Sequence, residues 1–229
     1  MNAKDTLADL GPLYHSFSFF GVDNEQLPGM FAANQRAKAP IIIAYVALAL
    51  AKARIEGRPL TFTELFCADA YYAMVASRLG ADWCVGVDND RDGFFPTATR
   101  IAERLGITNL SLQNVEIQSD SQYEQVDVVA NVGGLYHVDD PEGILALSYG
   151  MARRYLIVQT VVSVATDDPD YFERPAPGWT WGNRYSRASF DRMLRRLCPR
   201  VIDSHFNVLE GNDRAEDRGS VYYLIEKPY

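Results

Sequence analysis

From Leu60 onward the sequence alternates between short β-type runs and helical stretches, and this alternation most limits the folds open to the chain. TFTELF, WCVGVD, LSLQNV, VDVVANV and YLIVQTVV read as strands. Between them, Tyr72 to Leu79 reads as a helix stopped by Gly80, and Pro96 to Leu105 as one stopped by Gly106. Asp140-Pro141-Glu142 opens a third that runs toward Met151, with the Asp as cap and the Pro in the first turn. Strands separated by helices pair in parallel through right-handed crossovers, which lay helices on both faces of the sheet. The expected core is therefore a doubly wound, mostly parallel α/β sheet.

Both ends of the chain break this rhythm. The stretch before residue 59 opens with the aromatic cluster Tyr14, His15, Phe17, Phe19 and Phe20, passes the turn signal Pro28-Gly29 and reaches Pro40 followed by IIIAYVALALAKARIEG. Pro near a helix start and Gly57 at its end are boundary signals. That helix is apolar around most of its circumference, so it is expected to lie buried against something larger. Residues 1–58 are read as a helical, aromatic extension acting as a lid, and 59–229 as the main domain. Toward the other end, Ser163 to Arg187 forms a long loop with Pro169, Pro175, Pro177, Trp179 and Trp181, and loops of such length are commonly lids or binding loops. A helix from about Ser189 places Phe190, Met193, Leu194 and Leu197 on one face. VIDSHFNVL and VYYLIEK, joined by the polar EGNDRAEDRG, then read as an antiparallel hairpin at a sheet edge.

Charge and cysteine content exclude several functions. With 22 Lys+Arg against 30 Asp+Glu, the net charge of −8 gives no overall basic field for gripping nucleic acid. Cys67, Cys84 and Cys198 are odd in number and scattered, forming neither a disulfide framework nor a zinc spacing, which favours a reducing cytoplasm. No His/Cys/Asp/Glu set has metal-ligand spacing. The apolar run from Ile41 to Ala51 is stopped by Lys52, short of the ~20 residues a spanning helix needs. The opening MNAKDTLADLG has no apolar signal core. A cytoplasmic protein without a membrane partner is expected.

The stretch that carries chemistry is Glu64-Leu-Phe-Cys-Ala-Asp-Ala70 together with the strand ending in Asp88. Ligands in doubly wound folds sit beyond the carboxyl ends of the strands, near the point where strand order reverses. Small residues in the first loop let backbone approach such a ligand, and an acid closing the second strand can accept hydrogen bonds from both hydroxyls of a ribose.

In these features the sequence resembles the class I S-adenosylmethionine-dependent methyltransferases. Their first motif is usually an acid followed by three alternating glycines. Glu64 stands at the acid, and Phe66, Ala68 and Ala70 at the glycines. Alanine is small enough for close approach but does not freely adopt positive φ. In order, Asp88 with Asn89 matches the ribose acid, Asn114-Val115 the residues near the adenine, and Asn131-Val132-Gly133 the fourth-strand end beside the sulfonium. The paired closing strands match the reversed hairpin that separates this family from dinucleotide-binding dehydrogenases. The resemblance spans roughly Thr61 to Pro228. It implies a Rossmann-like, seven-stranded sheet with a C-terminal antiparallel hairpin and an N-terminal helical lid, and S-adenosylmethionine as cofactor with S-adenosylhomocysteine as product. A narrower likeness, in Gly134-Leu-Tyr-His137, Asp140-Pro141, Tyr14-His15 and Pro28-Gly29, is to the branch containing the tRNA wobble-uridine carboxymethyltransferase. The architecture is taken from that branch and the substrate is not.

Each candidate has a structural reading beside the functional one. Glu64 either accepts from the methionine ammonium or caps a neighbouring helix. His137, where the fourth strand breaks into a loop, either takes a proton from the acceptor, with a reference pKa near 6.5, or fixes the following helix. Tyr14 and His15 either close over the cofactor or pack the core. Tyr136, Trp179, Trp181 and Tyr185 either wall the acceptor pocket or form a satellite core. Arg184, Arg187, Arg192, Arg195, Arg196 and Arg200 are a local basic cluster, read as a solvated face rather than an RNA footprint. The expected activity is methyl transfer to an oxygen or nitrogen of a small-molecule acceptor, chiefly by alignment. The alternatives are a tRNA-modifying transferase, or a binding protein that kept the fold and lost the chemistry.

Overall fold

The computed structural model describes residues 7–228; the opening six residues, part of the expected extension, and Tyr229 lie outside it. Helix α1 (Phe31–Ala53) precedes β1 (Thr61–Leu65), α2 (Tyr71–Arg78), β2 (Trp83–Asp88), α3 (Phe95–Arg104), β3 (Leu110–Asn114), β4 (Val126–Val132), α4 (Pro141–Met151) and β5 (Ala152–Val162). A short ribbon of β6 (Phe172–Glu173) and β7 (Arg184–Tyr185) follows, then α5 (Arg187–Leu197), β8 (Val201–Val208) and β9 (Gly219–Glu226).

Seven strands form one sheet in the order β3-β2-β1-β4-β5-β9-β8. The pairs from β3 through β5 are parallel, and β9 inserts antiparallel between β5 and β8. The chain builds outward from β1 to β3, then returns to lay β4 on the other side of β1. Strand order therefore reverses between β1 and β4, and a cleft opens beyond their carboxyl ends.

Strand periodicity divides the core. Phe62, Val128, Ile157, Tyr222 and Leu224 face α1, α2 and α3, whereas Leu65, Val129, Val158, Tyr223 and Ile225 face α4 and α5. The first layer includes Leu7, Leu13, Phe17 and Val22 as well as Ile42, Tyr45 and Val46 of α1, so the residues before 59 share one core with the sheet.

The sequence places the start of α1 at Pro40, but the helix begins at Phe31 and Pro40 lies inside it. Proline removes one backbone donor, and its ring crowds the preceding turn. Pro40 is exposed, so the carbonyl left without a partner faces water, while Ala39, Ile42, Val46 and Ala49 on the opposite face anchor the helix. In the long loop, the β6–β7 ribbon is an addition to the sequence reading. Ser186 and Ser189 form a reciprocal capping box that starts α5. Among the described residues no helix is long and apolar enough to cross a membrane, and no acidic, His or Cys group could hold a metal ion.

Candidate functional site

After β1 the chain passes through Phe66, Ala68 and Ala70 at φ of 58°, 46° and 58°. These are the positions at which the sequence comparison expects glycine, and each adopts the left-handed conformation without one. A non-glycine residue there costs roughly 1–2 kcal/mol, so the loop persists because its surroundings fix it. The Cys67 N–H donates to the Val87 carbonyl at 3.2 Å and the Ala70 N–H to the Cys67 carbonyl at 2.7 Å. Gly86 across from the loop has no side chain, and a Cβ there would sit 2.9 Å from Cys67 Sγ. Glu64 accepts from the Ala73 N–H at 2.7 Å, capping α2 from the neighbouring strand. Burial pushes its carboxyl well above the usual range. The Ala73 bond opposes that shift, and the charges of Asp69 and Asp88 add to it.

Asp88 joins the first two loops. One carboxylate oxygen accepts from the Ala68 N–H at 3.1 Å and the other from the Asp90 N–H at 3.0 Å. Asn89 donates to Glu116 at 3.1 Å, tying the β2 end to the β3 loop. Asn114 and Val115 lie exposed beside it, and the Val115 N–H donates to the Asp88 carbonyl at 2.8 Å.

The aromatic segment closes over this loop through Asp69, a buried acid that sequence reasoning passed over. Its oxygens hold the His15 N–H at 3.0 Å and His15 Nδ1 at 2.6 Å. The His15 ring stacks on Tyr71 with centroids 4.7 Å apart, and Tyr14 packs on Phe31 and Phe94.

At the end of β4 the predicted residues separate. Asn131 is fully buried and donates to Ser148 of α4 at 3.0 Å, so its amide faces the core layer below the sheet. Gly133 adopts φ 76°, and any side chain on Gly134 would collide with the Phe66 ring. A short turn, Leu135–His137, carries Tyr136 and His137 outward. The His137 ring stacks on Trp181 at 5.0 Å and 14°, and Trp179 lies 5.1 Å from Trp181. Surrounding protein, with the nearby Arg184 and Lys38 charges, lowers the His137 pKa to about 4. The residue is exposed, so solvent limits this shift, and its direction is downward. The sequence reading expects little adjustment here; the ring is instead a neutral, weaker base.

The long loop is pinned to that turn. Asn183 donates to the Leu135 and Val138 carbonyls at 2.7 and 2.8 Å, and Arg184 is buried against Asp217 at 2.6 Å with its guanidinium over the Tyr136 ring. Gly182 fits because a side chain there would meet the Tyr136 carbonyl. Tyr185 does not join the tryptophans: it packs on Phe172 and Phe190, lining a cavity of about 630 Å³ between the start of α4 and α5.

No protein-family model and no curated protein matches the sequence. Solved structures do. The N-terminal domain of EvdMO1 with S-adenosylhomocysteine bound aligns over 96% of this chain and 93% of its own, at 18% identity and a TM-score of 0.63. Magnesium protoporphyrin IX methyltransferase from Synechocystis PCC 6803, also with S-adenosylhomocysteine, aligns over 89% of both chains at 12% identity and a TM-score of 0.64. This chain has the methyltransferase Rossmann-like fold. The [4+2]-cyclase SpnF is similar too, over 81% of both chains at 13% identity and a TM-score of 0.60, so the likeness establishes the fold and leaves the reaction to the site.

On this methyltransferase fold, the basic cluster seen in the sequence is largely neutralised. Arg192 pairs with Asp170, Arg195 with Asp191, Arg196 with Glu142 and Arg200 with Glu226, while Arg187 lies over Phe206. Besides Asp69, two residues at the cleft escaped sequence reasoning. Gln159 interrupts the apolar strand YLIVQTVV, which was an available signal; Lys38 follows Asn34, Gln35 and Arg36 in the polar first part of α1, where nothing in the sequence sets it apart.

Proposed function

We propose that this chain binds S-adenosylmethionine across the carboxyl ends of β1, β2 and β4 and transfers its methyl group to a small, planar acceptor through oxygen or nitrogen. The observation that carries the reading is Asp88, held by the Ala68 and Asp90 N–H groups at the mouth of a loop whose three glycine-type positions are left-handed. Each carboxylate oxygen retains a lone pair for a ribose hydroxyl. Asn89, Asn114 and Val115 border the adenine, and Gly133 brings bare backbone to the reacting end. Glu64 acts there through α2, whose first turn it caps, while Phe66 and Gly134 close the wall behind the methyl group.

When bound, S-adenosylmethionine supplies a methyl group already activated by the sulfonium. The protein's work is then to align the acceptor and exclude water. His15 clamped on Asp69 holds the aromatic segment over the first loop, which makes residues before Phe31 the lid and α1 its scaffold. Trp181, Trp179 and Tyr136 offer faces for a planar acceptor. His137, neutral and oriented by Trp181, accepts a proton where the acceptor must lose one. A small acceptor is favoured over RNA because the arginines that could form a basic face are paired. Three buried, free cysteines suit a reducing cytoplasm.

Calorimetric titration with S-adenosylmethionine and S-adenosylhomocysteine tests the reading. Binding of both is expected, and no heat from either at millimolar concentration overturns it. Binding without product formation on any acceptor would indicate the fold without the chemistry.

A further inference from the structure

Lys38 sits one turn before Ile42 on the face of α1 that packs against the sheet, and it is half-buried. Among the described residues it has no hydrogen-bond or ion-pair partner, and its charge bears on His137. Burial lowers its pKa to about 8, the response of an ammonium without a counter-charge. The neighbouring cation differs, since Arg184 is neutralised by Asp217.

A second unmatched polar group lies at the end of β4. Gln159 of β5 is fully buried and its NH₂ donates to Ser220 at 2.9 Å, yet its Oε1 has no partner. That oxygen and the Tyr136 hydroxyl each lie 4.0 Å from the point where a side chain on Gly133 would begin. Because the Ser220 hydroxyl can donate or accept, the amide can turn either its oxygen or its NH₂ toward this space. Asp88 stands at the end of β2, and an unpaired cation stands on α1, near enough for its charge to bear on His137.

We propose that Lys38 binds the acceptor, and that the acceptor is a planar molecule bearing an acidic oxygen, a carboxylate or a phenol, which the ammonium holds as an anion for methylation. The inference rests on the methyl-transfer reading above. A carboxylate arrives ionised, whereas a phenol gives its proton to solvent on binding. A lone pair of the oxygen forms the O–C bond as the S–C bond of the sulfonium breaks, with that electron pair going to sulfur. Anion and sulfonium become a neutral ester or ether and a neutral thioether. Lys38 keeps its proton throughout and loses its counter-charge, which favours product release.

The test uses two probe pairs, 2-naphthoate with 2-naphthamide and 7-hydroxycoumarin with coumarin, titrated at pH 7 into the full chain with and without S-adenosylhomocysteine. The acidic member of at least one pair should bind about tenfold or more tightly than its neutral partner, a difference near 1.4 kcal/mol. The pair that discriminates separates carboxylate from phenol, and bound 7-hydroxycoumarin should show the absorption of its anion if phenol is the class. Lys38→Met should abolish the preference, Lys38→Arg should keep most of it, and both should bind S-adenosylhomocysteine within about twofold of the parent. Equal affinity within both pairs, no binding of any acidic probe, or a preference that survives Lys38→Met overturns the proposal. Loss of S-adenosylhomocysteine binding by the parent chain would defeat the methyl-transfer reading instead, and the probe comparison on the ligand-free protein would still be read.

Discussion

Asp127, at the amino end of β4, and Asp88, at the carboxyl end of β2, sit at opposite ends of the same sheet. Asp127 is 1% exposed and accepts from the Thr61 N–H and hydroxyl, each at 3.0 Å, and from Arg58. Nearby, Asp82 accepts from the Leu60 N–H at 2.7 Å. Both of these acids are matched within the chain. At the other end, Asp88 is half-buried with lone pairs to spare, Gln159 Oε1 has no partner and Lys38 has no counter-charge. Among the described residues the four non-glycine positions with positive φ, Phe66, Ala68, Ala70 and Asp90, all follow β1 or β2. The left-handed strain lies at the carboxyl end of the sheet, and strain of this kind clusters at ligand sites.

That contrast can be broken by substitution. Asp127→Ala removes the acceptor for two Thr61 donors and the partner of Arg58, and should lower stability in urea by about 3 kcal/mol. Affinity for S-adenosylhomocysteine should stay within about twofold. Asp88→Ala should do the reverse, weakening that affinity by about 2 kcal/mol with a smaller loss of stability. If the two variants trade these effects, the ends have been assigned wrongly.

Smaller changes sharpen the comparison. Ala68→Gly and Ala70→Gly should each raise stability by up to about 1 kcal/mol, because relief of left-handed strain exceeds the added unfolded-state entropy. No gain in either would mean the surroundings carry the conformation without strain. Glu64→Gln is read as a slope. The Glu64 carboxyl is raised in the folded chain, so as pH climbs the unfolded chain loses this proton first. Its contribution is full below the unfolded value near 4.3 and declines as pH rises toward the folded value. Glu64→Gln keeps an acceptor for the Ala73 N–H and has no proton to lose, so its stability should fall less with rising pH in that window. An unchanged slope would mean Glu64 is solvated or paired in solution.

The sheet was legible because hydrophobic alternation and helix punctuation are local. The strands from TFTELF to VYYLIEK lie within a few residues of where pattern puts them, and the hairpin reading gave the reversed edge. The α1 start was not legible, because proline at a helix start and proline on the outer face of a longer helix look alike in sequence. The loop after β1 was read at the right residues, but not its conformation: alanine disfavours positive φ on its own, and contacts with Val87 and Asp88 override that preference. Asp69, Lys38 and Gln159 escaped because their significance lies in distant neighbours. His15 is 54 positions from Asp69, and Ser220 is 61 from Gln159. Tyr185 shows the opposite limit. It is close in sequence to Trp181, yet it belongs to the other core layer because the ribbon strand β7 carries it away.

The most direct test is a crystal structure of the chain with S-adenosylhomocysteine. The account predicts both ribose hydroxyls within hydrogen-bond distance of the Asp88 carboxylate, and the thioether sulfur beside Gly133 with Lys38 and His137 beyond it. A ligand seated elsewhere, such as the cavity lined by Tyr185, or one that leaves Asp88 bonded solely to Ala68 and Asp90, would contradict it.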